Sequence, residues 1–340
     1  MRISRLDVDD RGVVILGAGA SRGASFVQKK PPTVVLPPLD RDFFDQVAAL
    51  QDAKRTDDVE TILAFAFEEF GAAAPSMEVF FTHVEFLHKL ETQLKFRKGR
   101  KKEVYKRTIE AFKRVLASLL AQALGNESCD HHEALVGALL AGDSVISFNY
   151  DCLVDIALKK KGGRRWDPSK GYGVAVDTGP EYWAPTSIGQ GKRPKEPIML
   201  YKMHGSLNWV WDPKSGELKL REWPTGDPGG SLDFEIIPPA WSKPVTEHDL
   251  FREIWKGARK ALDRAKVIVV IGYSAPNNDQ LSQALLRSCS DKATPLEYLV
   301  VVNRNQEAQS RVIQLLEGAV TRDTRVRRFG PFEEFIPFLR

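Results

Sequence analysis

Five short stretches of this sequence end an apolar run in groups that can bind a ligand or move a proton. G-A-G-A-S-R-G (17–23) follows G-V-V-I-L, and Gly17 and Gly19 would let the backbone approach a diphosphate, with exposed N–H groups donating to it. V-I-S-F-N-Y-D (145–151) ends on the amide of Asn149 and the carboxylate of Asp151. Y-K-M-H-G-S-L-N-W (201–209) puts His204 at the end of a β-like run, with Gly205 leaving room beside it. V-I-V-V-I (267–271) runs into Gly272, Tyr273 and Ser274, and L-V-V-V-N-R-N (299–305) ends on Asn303. Each ending has an ordinary alternative: Asp151 as the cap of the next helix, His204 as a satisfied core histidine. Five together point to one polar pocket, because a parallel α/β sheet binds its ligands beyond the carboxyl ends of its strands.

The elements that must position these groups follow from the same runs. Strands are expected at 12–16, 144–148, 198–203, 267–271 and 297–302, with helices near 152–160, 248–265, 278–288 and 305–316. Short apolar runs alternating with helices predict an α/β fold: a Rossmann-like parallel sheet with helices on both faces. Between the first two strands the period changes. From Asp40, a good N-cap for the helix that follows it, the apolar spacing is helical for about a hundred residues. Phe43, Phe44, Val47 and Leu50 recur at helix spacing, as do residues 79–90 and 103–124. The expected organisation is therefore a Rossmann-like domain from 1–40 and 142–340 with an inserted α-helical bundle at 41–141. Residues 161–245 hold six of the seven tryptophans with many glycines and prolines, and are expected to form a lid or a partner surface.

G-A-G-A-S, S-F-N-Y-D, M-H-G-S, G-Y-S and V-N-R-N, in this order, resemble the sirtuin-like NAD-binding family, and most closely its prokaryotic anti-phage-defence branch. The resemblance covers 12–26 and 143–305 as scattered motifs; residues 41–141 carry none of them. It implies a pocket that binds NAD as substrate and breaks its nicotinamide–ribose bond. By motif position, Asn149 would hold a water near the anomeric carbon and His204 would be the general base. Gly17, Ala18, Gly19, Ala20 and Ser21 would hold the diphosphate, Asp151 the nicotinamide ribose, Gly272, Tyr273 and Ser274 the phosphate–ribose chain, and Asn303 the adenosine ribose. The residue types suit the chemistry: carboxylate and amide oxygens stabilise the positive charge that glycosidic cleavage develops, and imidazole titrates near neutrality. The resemblance also implies homo-oligomerisation and an activating partner, such as a HerA-like hexameric ATPase or an Argonaute-type protein.

The sequence departs from the family in two places. The four-cysteine zinc ribbon of sirtuin deacylases is missing, and S-L-N-W-V-W-D-P-K-S-G after His204 reads as a hairpin of its own. NAD hydrolysis is therefore the expected reaction; the alternatives are a protein deacylase, an NAD- or ADP-ribose-sensing scaffold, and a nuclease acting with an ATPase. Nor is this a hydride-transfer fingerprint, since Arg22 stands where the third glycine of G-x-G-x-x-G would fall and no acidic residue ends a second strand about twenty residues on.

Composition narrows the rest. With 340 residues, 43% hydrophobic and 28% charged, the chain is globular, and a net charge of +4 does not by itself call for nucleic acid. Three separated cysteines form no C-x-x-C pair, which argues against a zinc site or disulfide framework and for a reducing compartment. No apolar leader or membrane-length run stands out, so the expectation is a cytoplasmic protein without membrane contact. C-D-H-H-E (129–133) lacks a second ligand pair, and no metal is expected there. The basic run 95–107 reads as a solvated loop and helix start, with a phosphate-rich partner as the alternative. Asp279 is expected to cap the helix at 280–288, and the aromatic stretch 329–339 to dock on the body or on a neighbour.

Overall fold

Unbroken apolar runs build the centre of the molecule. The structure, a computed structural model, describes residues 11–31, 34–94, 100–230, 232–237, 248–276, 279–291 and 295–339. Six parallel strands form one sheet: β1 (Arg11–Leu16), β2 (Ser144–Ser147), β3 (Met199–Lys202), β6 (Ala265–Ile271), β7 (Tyr298–Val302) and β8 (Arg325–Phe329). Their spatial order is β3-β2-β1-β6-β7-β8. Successive residues Val13, Val14, Ile15 and Leu16 are all buried, as is every residue of β7. Alternate residues point to opposite faces of a strand, so both faces of the sheet are covered, as the unbroken runs predict. The order reverses between β1 and β6, which is where an open α/β sheet leaves a crevice at its carboxyl edge.

The covering helices alternate with the strands. They are α1 (Ala18–Arg22), α7 (Leu153–Lys161), α8 (Asp249–Arg264), α9 (Gln280–Arg287), α10 (Gln306–Leu315) and α11 (Phe332–Phe335). Between β1 and β2 the chain forms five further helices: α2 (Phe43–Ala49), α3 (Thr56–Phe70), α4 (Met77–Leu94), α5 (Arg100–Leu124) and α6 (Asp130–Ala138). The helical period of this stretch buries an aromatic stripe: the rings of Phe43 and Phe112 lie 5.2 Å apart, and those of Phe44 and Phe80 also 5.2 Å apart. Asp40 caps a different helix from the one expected. Its Oδ1 accepts from the N–H of Glu78 at 2.8 Å, so it ties the start of α4 to the segment leading into α2.

Two other expectations change. β8 was absent from the predicted strands because R-V-R-R-F carries no apolar alternation. It is one of the sheet's two edge strands, with Arg325–Arg328 exposed, and charged side chains are how an edge avoids pairing with another chain. The tryptophan-rich stretch led to the expectation of a lid or partner surface, but Trp166, Trp183, Trp209 and Trp223 are almost wholly buried. Trp166 Nε1 donates to the carbonyl of Trp183 at 3.0 Å, and Trp183 Nε1 to that of Arg221 at 3.0 Å, so these tryptophans pack an interior. Trp241 lies outside the described residues. The expected hairpin is present as β4 (Trp209–Asp212) and β5 (Glu217–Leu220), antiparallel with Trp209 opposite Leu220.

Phe335 and Phe332 of α11 are buried, and the Phe332 ring lies 5.3 Å from that of His131 in α6, so the aromatic stretch docks on the body. Residues 95–99 of the basic run lie outside the described residues; beyond them it continues into α5, where Lys106 faces Glu110 at 3.9 Å. Among the described residues, no helix is long and apolar enough to cross a membrane.

Candidate functional site

The turns after β1, β2, β3, β6 and β7 open onto one cleft of about 410 Å³. That lies within the roughly 300–1,000 Å³ common for small-molecule sites. The sequence-predicted residues Gly17, Ala18, Gly19, Ser21, Asn149, Asp151, His204, Gly272, Tyr273, Ser274 and Asn303 all line it. Ala20 does not: it is fully buried, and its N–H is turned back to the carbonyl of Gly17 at 2.8 Å.

In the glycine-rich turn, the N–H groups of both glycines are already committed to the backbone. The N–H of Gly17 donates to Ile271 O at 3.0 Å and that of Gly19 to Gly272 O at 2.9 Å, so neither is spare for a phosphate. What the turn needs is absence of side chains. Gly272 has φ +66°, and a Cβ there would sit 2.1 Å from the backbone nitrogen of Ala20; one on Gly17 would sit 2.6 Å from Tyr273 Cα. Only glycine lets the turns after β1 and β6 press backbone to backbone.

Asn149 joins the turn after β2 to the turn after β1. Its Nδ2 donates to Gly17 O at 3.0 Å and to Ser21 Oγ at 2.9 Å, so both amide hydrogens are used. The amide oxygen Oδ1 is then the group left for the cleft. The carboxylate of Asp151 is bonded within the fold through both of its oxygens. Oδ1 accepts from Leu153 N at 3.0 Å, which caps the turn into α7, and Oδ2 accepts from Ser21 Oγ at 2.6 Å. Below it, Lys202 Nζ donates to the carbonyl of Asp151 and meets Asp155 Oδ2 at 3.1 Å, with both side chains fully buried. Burial, the largest single influence, disfavours the Lys202 ammonium, but the charge and hydrogen bond of Asp155 together with its other neighbours, Asp151 among them, outweigh it, and the lysine is held above its usual value. Tyr172 completes this support by donating to Asp155 Oδ1 at 2.6 Å.

His204 Nδ1 lies 3.2 Å from the carbonyl of Phe148. A carbonyl only accepts, so Nδ1 carries the proton and Nε2 is the basic nitrogen of the neutral ring. The imidazole sits in an aromatic corner: its ring is 5.4 Å from Phe148 and 6.2 Å from Tyr150, and Phe148 stacks on Tyr273 at 4.7 Å. The Tyr150 hydroxyl donates to Ile237 O at 2.9 Å. Burial, then the charges of Glu78 and Asp279, push the Tyr150 phenol well above its usual value; burial and Asp279 do the same to Tyr273. Both are neutral donors at physiological pH.

On the opposite side Asn303 is largely committed to the fold. Its Nδ2 donates to Tyr273 O at 3.2 Å and its Oδ1 accepts from Asn305 N at 2.9 Å, leaving one amide hydrogen beyond these two bonds.

Several cleft residues escaped the sequence reading. Asp279 occupies the N-cap position of α9 but makes no cap bond, contrary to expectation; its carboxylate accepts from the Tyr273 hydroxyl at 3.2 Å and faces the cleft. Glu78 comes from α4, inside the stretch without motifs, and is 5% exposed. The available signal was a glutamate one turn from Phe81 on the buried stripe of an amphipathic helix, where an unexplained carboxylate is unusual. Asn305 and Arg311 line the Asn303 side. The C-D-H-H-E motif pairs with itself, since His132 Nδ1 lies 3.1 Å from Cys129 Sγ, away from the cleft residues.

No protein-family model matches the chain, and no curated protein matches it.

Proposed function

We propose that the protein is an NAD glycohydrolase: NAD and water give nicotinamide and ADP-ribose. The observation that carries this reading is the convergence, at the switch point of the sheet, of motif residues scattered over nearly 290 positions between Gly17 and Asn303. In this reaction the bond between C1′ of the ribose and the pyridinium nitrogen breaks, its electron pair neutralising the nicotinamide ring. Positive charge develops on the ribose, and the Oδ1 of Asn149 and the nearby carboxylate of Asp151 are the oxygens that stabilise it. Water attacks C1′ and gives its proton to Nε2 of His204, whose other nitrogen is fixed by Phe148 O. The cleft's Asn303 and Arg311 side takes the adenosine end.

Such an enzyme would drain NAD from its own cytoplasm, so we place it as an NAD-depleting effector of anti-phage defence. It would act as a homo-oligomer and be switched on by a partner of the HerA-like ATPase or Argonaute type. The test is nicotinamide release from NAD by the purified protein, alone and with such partners. Release that is lost in Asn149→Ala and His204→Ala supports the reading. Release that survives both substitutions sinks the site assignment; release only with an acyl-lysine peptide favours a deacylase, and tight NAD binding without turnover favours a sensor.

A further inference from the structure

Beside the cleft lies a second cavity, of about 600 Å³, lined mainly from α9 and α10. Among the described residues, Arg311 is the only one that lines both. Two guanidiniums line the second cavity, and each is fastened by one edge to the turn after β6. Arg311 Nε donates to Ser274 O at 3.2 Å. Gln283, 6% exposed, donates from Nε2 to Pro276 O at 2.6 Å and accepts at Oε1 from Arg287 Nη2 at 2.9 Å. Between those two anchoring carbonyls sits Ala275, which is buried and also lines the cavity. Its φ of +49° makes it the one non-glycine residue with positive φ among the described residues, and strained backbone of this kind clusters at ligand clamps.

The charge of these arginines is largely unspent. An exposed helix arginine can meet a carboxylate one turn away, as Arg259 meets Asp263 at 2.8 Å. At the same spacing Arg287 meets a neutral glutamine, and it pairs with no carboxylate among the described residues. The carboxylate nearest Arg311 is that of Glu307, only at 3.9 Å.

We propose that this cavity is a second binding site, for a phosphorylated sugar, free or within a nucleotide, whose phosphate is held by Arg287 and Arg311. A guanidinium presents paired N–H groups that match phosphate oxygens, and one already fastened along an edge loses less freedom on binding. Two guanidiniums stand against one lining carboxylate, Glu317, so the cavity favours an anion. Glu317 and the amide of Gln314 supply acceptors for sugar hydroxyls, which sets a sugar phosphate above a bare polyanion. The volume, too, is that of a small-molecule site rather than of a single ion. The site stands on its own residues and does not depend on the cleft holding NAD.

The experiment is calorimetric titration of the full chain with ribose 5-phosphate, AMP, inorganic phosphate and ribose. The wild type should bind at least one of the two phosphate esters more tightly than inorganic phosphate, and ribose should bind far more weakly. Arg287 is exposed and does not line the cleft, so Arg287→Gln should fold and melt as the wild type does. It should weaken binding of the ester by about tenfold or more, the loss expected when a charged hydrogen-bonding group is removed. Asn149→Ala, which alters the cleft, should leave that binding unchanged. Tighter binding of AMP than of ribose 5-phosphate names a nucleotide as the ligand, and equal or weaker binding names the free sugar phosphate; both uphold the site. Failure of both esters to bind the wild type overturns the proposal, as does ribose binding as tightly as its phosphate. An ester that binds Arg287→Gln as well as the wild type overturns it too, and loss of binding in Asn149→Ala alone would put the ligand in the cleft instead. None of these readouts uses nicotinamide release, so the hydrolase reading stands or falls separately.

Discussion

Lys202 and Asp155 meet 3.1 Å apart with no solvent reaching either side chain, under the carbonyl of Asp151. Removing one partner leaves the other as an unpaired buried charge. Lys202→Met or Asp155→Asn should therefore lower unfolding free energy by about 3–5 kcal/mol in urea titration. The double substitution Lys202→Met/Asp155→Leu should cost clearly less than the two single losses added together. A single-variant loss under about 1 kcal/mol, the range of exposed pairs, would contradict the buried-pair account.

Ser21 Oγ both accepts from Asn149 Nδ2 and donates to Asp151 Oδ2. Ser21→Ala should cost about 1–3 kcal/mol of stability, because it strands two buried partners in the turn after β2. Nicotinamide release should fall by roughly tenfold, less than the ~100-fold or more expected for His204→Ala as loss of a general base. A Ser21→Ala variant that matches the wild type in both readouts would show that this hydroxyl positions nothing.

Gly272→Ala tests the backbone contact between the β1 and β6 turns. The added methyl needs the space of the Ala20 nitrogen at 2.1 Å and a φ of +66° that alanine rarely adopts. The conformational strain alone is worth about 1–3 kcal/mol. Thermal unfolding should shift down, and Asn149 should lose its seat on Gly17, so NAD binding should weaken along with stability. A variant with wild-type melting and binding would contradict the contact.

Cys129 gives a pH signature. Burial opposes its ionisation, but the hydrogen bond and charge of His132 bring the thiol down to about 7 from 9.0. An acid whose pKa is lower folded than unfolded adds stability above its unfolded pKa and loses it as pH falls through the folded one. The contribution is complete above about 9 and gone below about 7, and two units correspond to at most about 2–3 kcal/mol. Urea unfolding between pH 6 and 10 should show this rise in the wild type minus Cys129→Ala difference; a flat difference refutes the pairing. Burial pushes Cys152 the other way, so it stays a thiol across that range.

What could be read from the sequence follows from how locally it is encoded. The central strands were legible because a strand buried on both faces must be apolar at every position, as Val13–Leu16 and Tyr298–Val302 are. β8 was not, since an exposed edge leaves no such trace. The cleft was legible at strand ends, where Asn149 and His204 interrupt apolar runs. Glu78 was hidden because its role depends on α4 folding back over the sheet, a tertiary relation with no local spacing. The tryptophans of 161–245 misled for a related reason: a loop-like composition of glycine and proline also serves to pack large rings around turns. The glycine-rich turn was found at the right place for an incomplete reason, since which N–H groups are spare depends on β6, more than 240 residues away.

The strand order also sets a schedule. β1 is made first yet lies in the middle, and it pairs with Ser144–Ser147 on one side and Ala265–Ile271 on the other. Contacts so distant in sequence form late, because loop closure must be met before pairing returns anything. On a ribosome, the turns bearing Gly17 and Asn149 would wait for Ile271 and Gly272 to emerge, and the far wall for Asn303 and Arg311. The cleft is therefore among the last features to appear during synthesis, and a partly made chain lacks one of its walls.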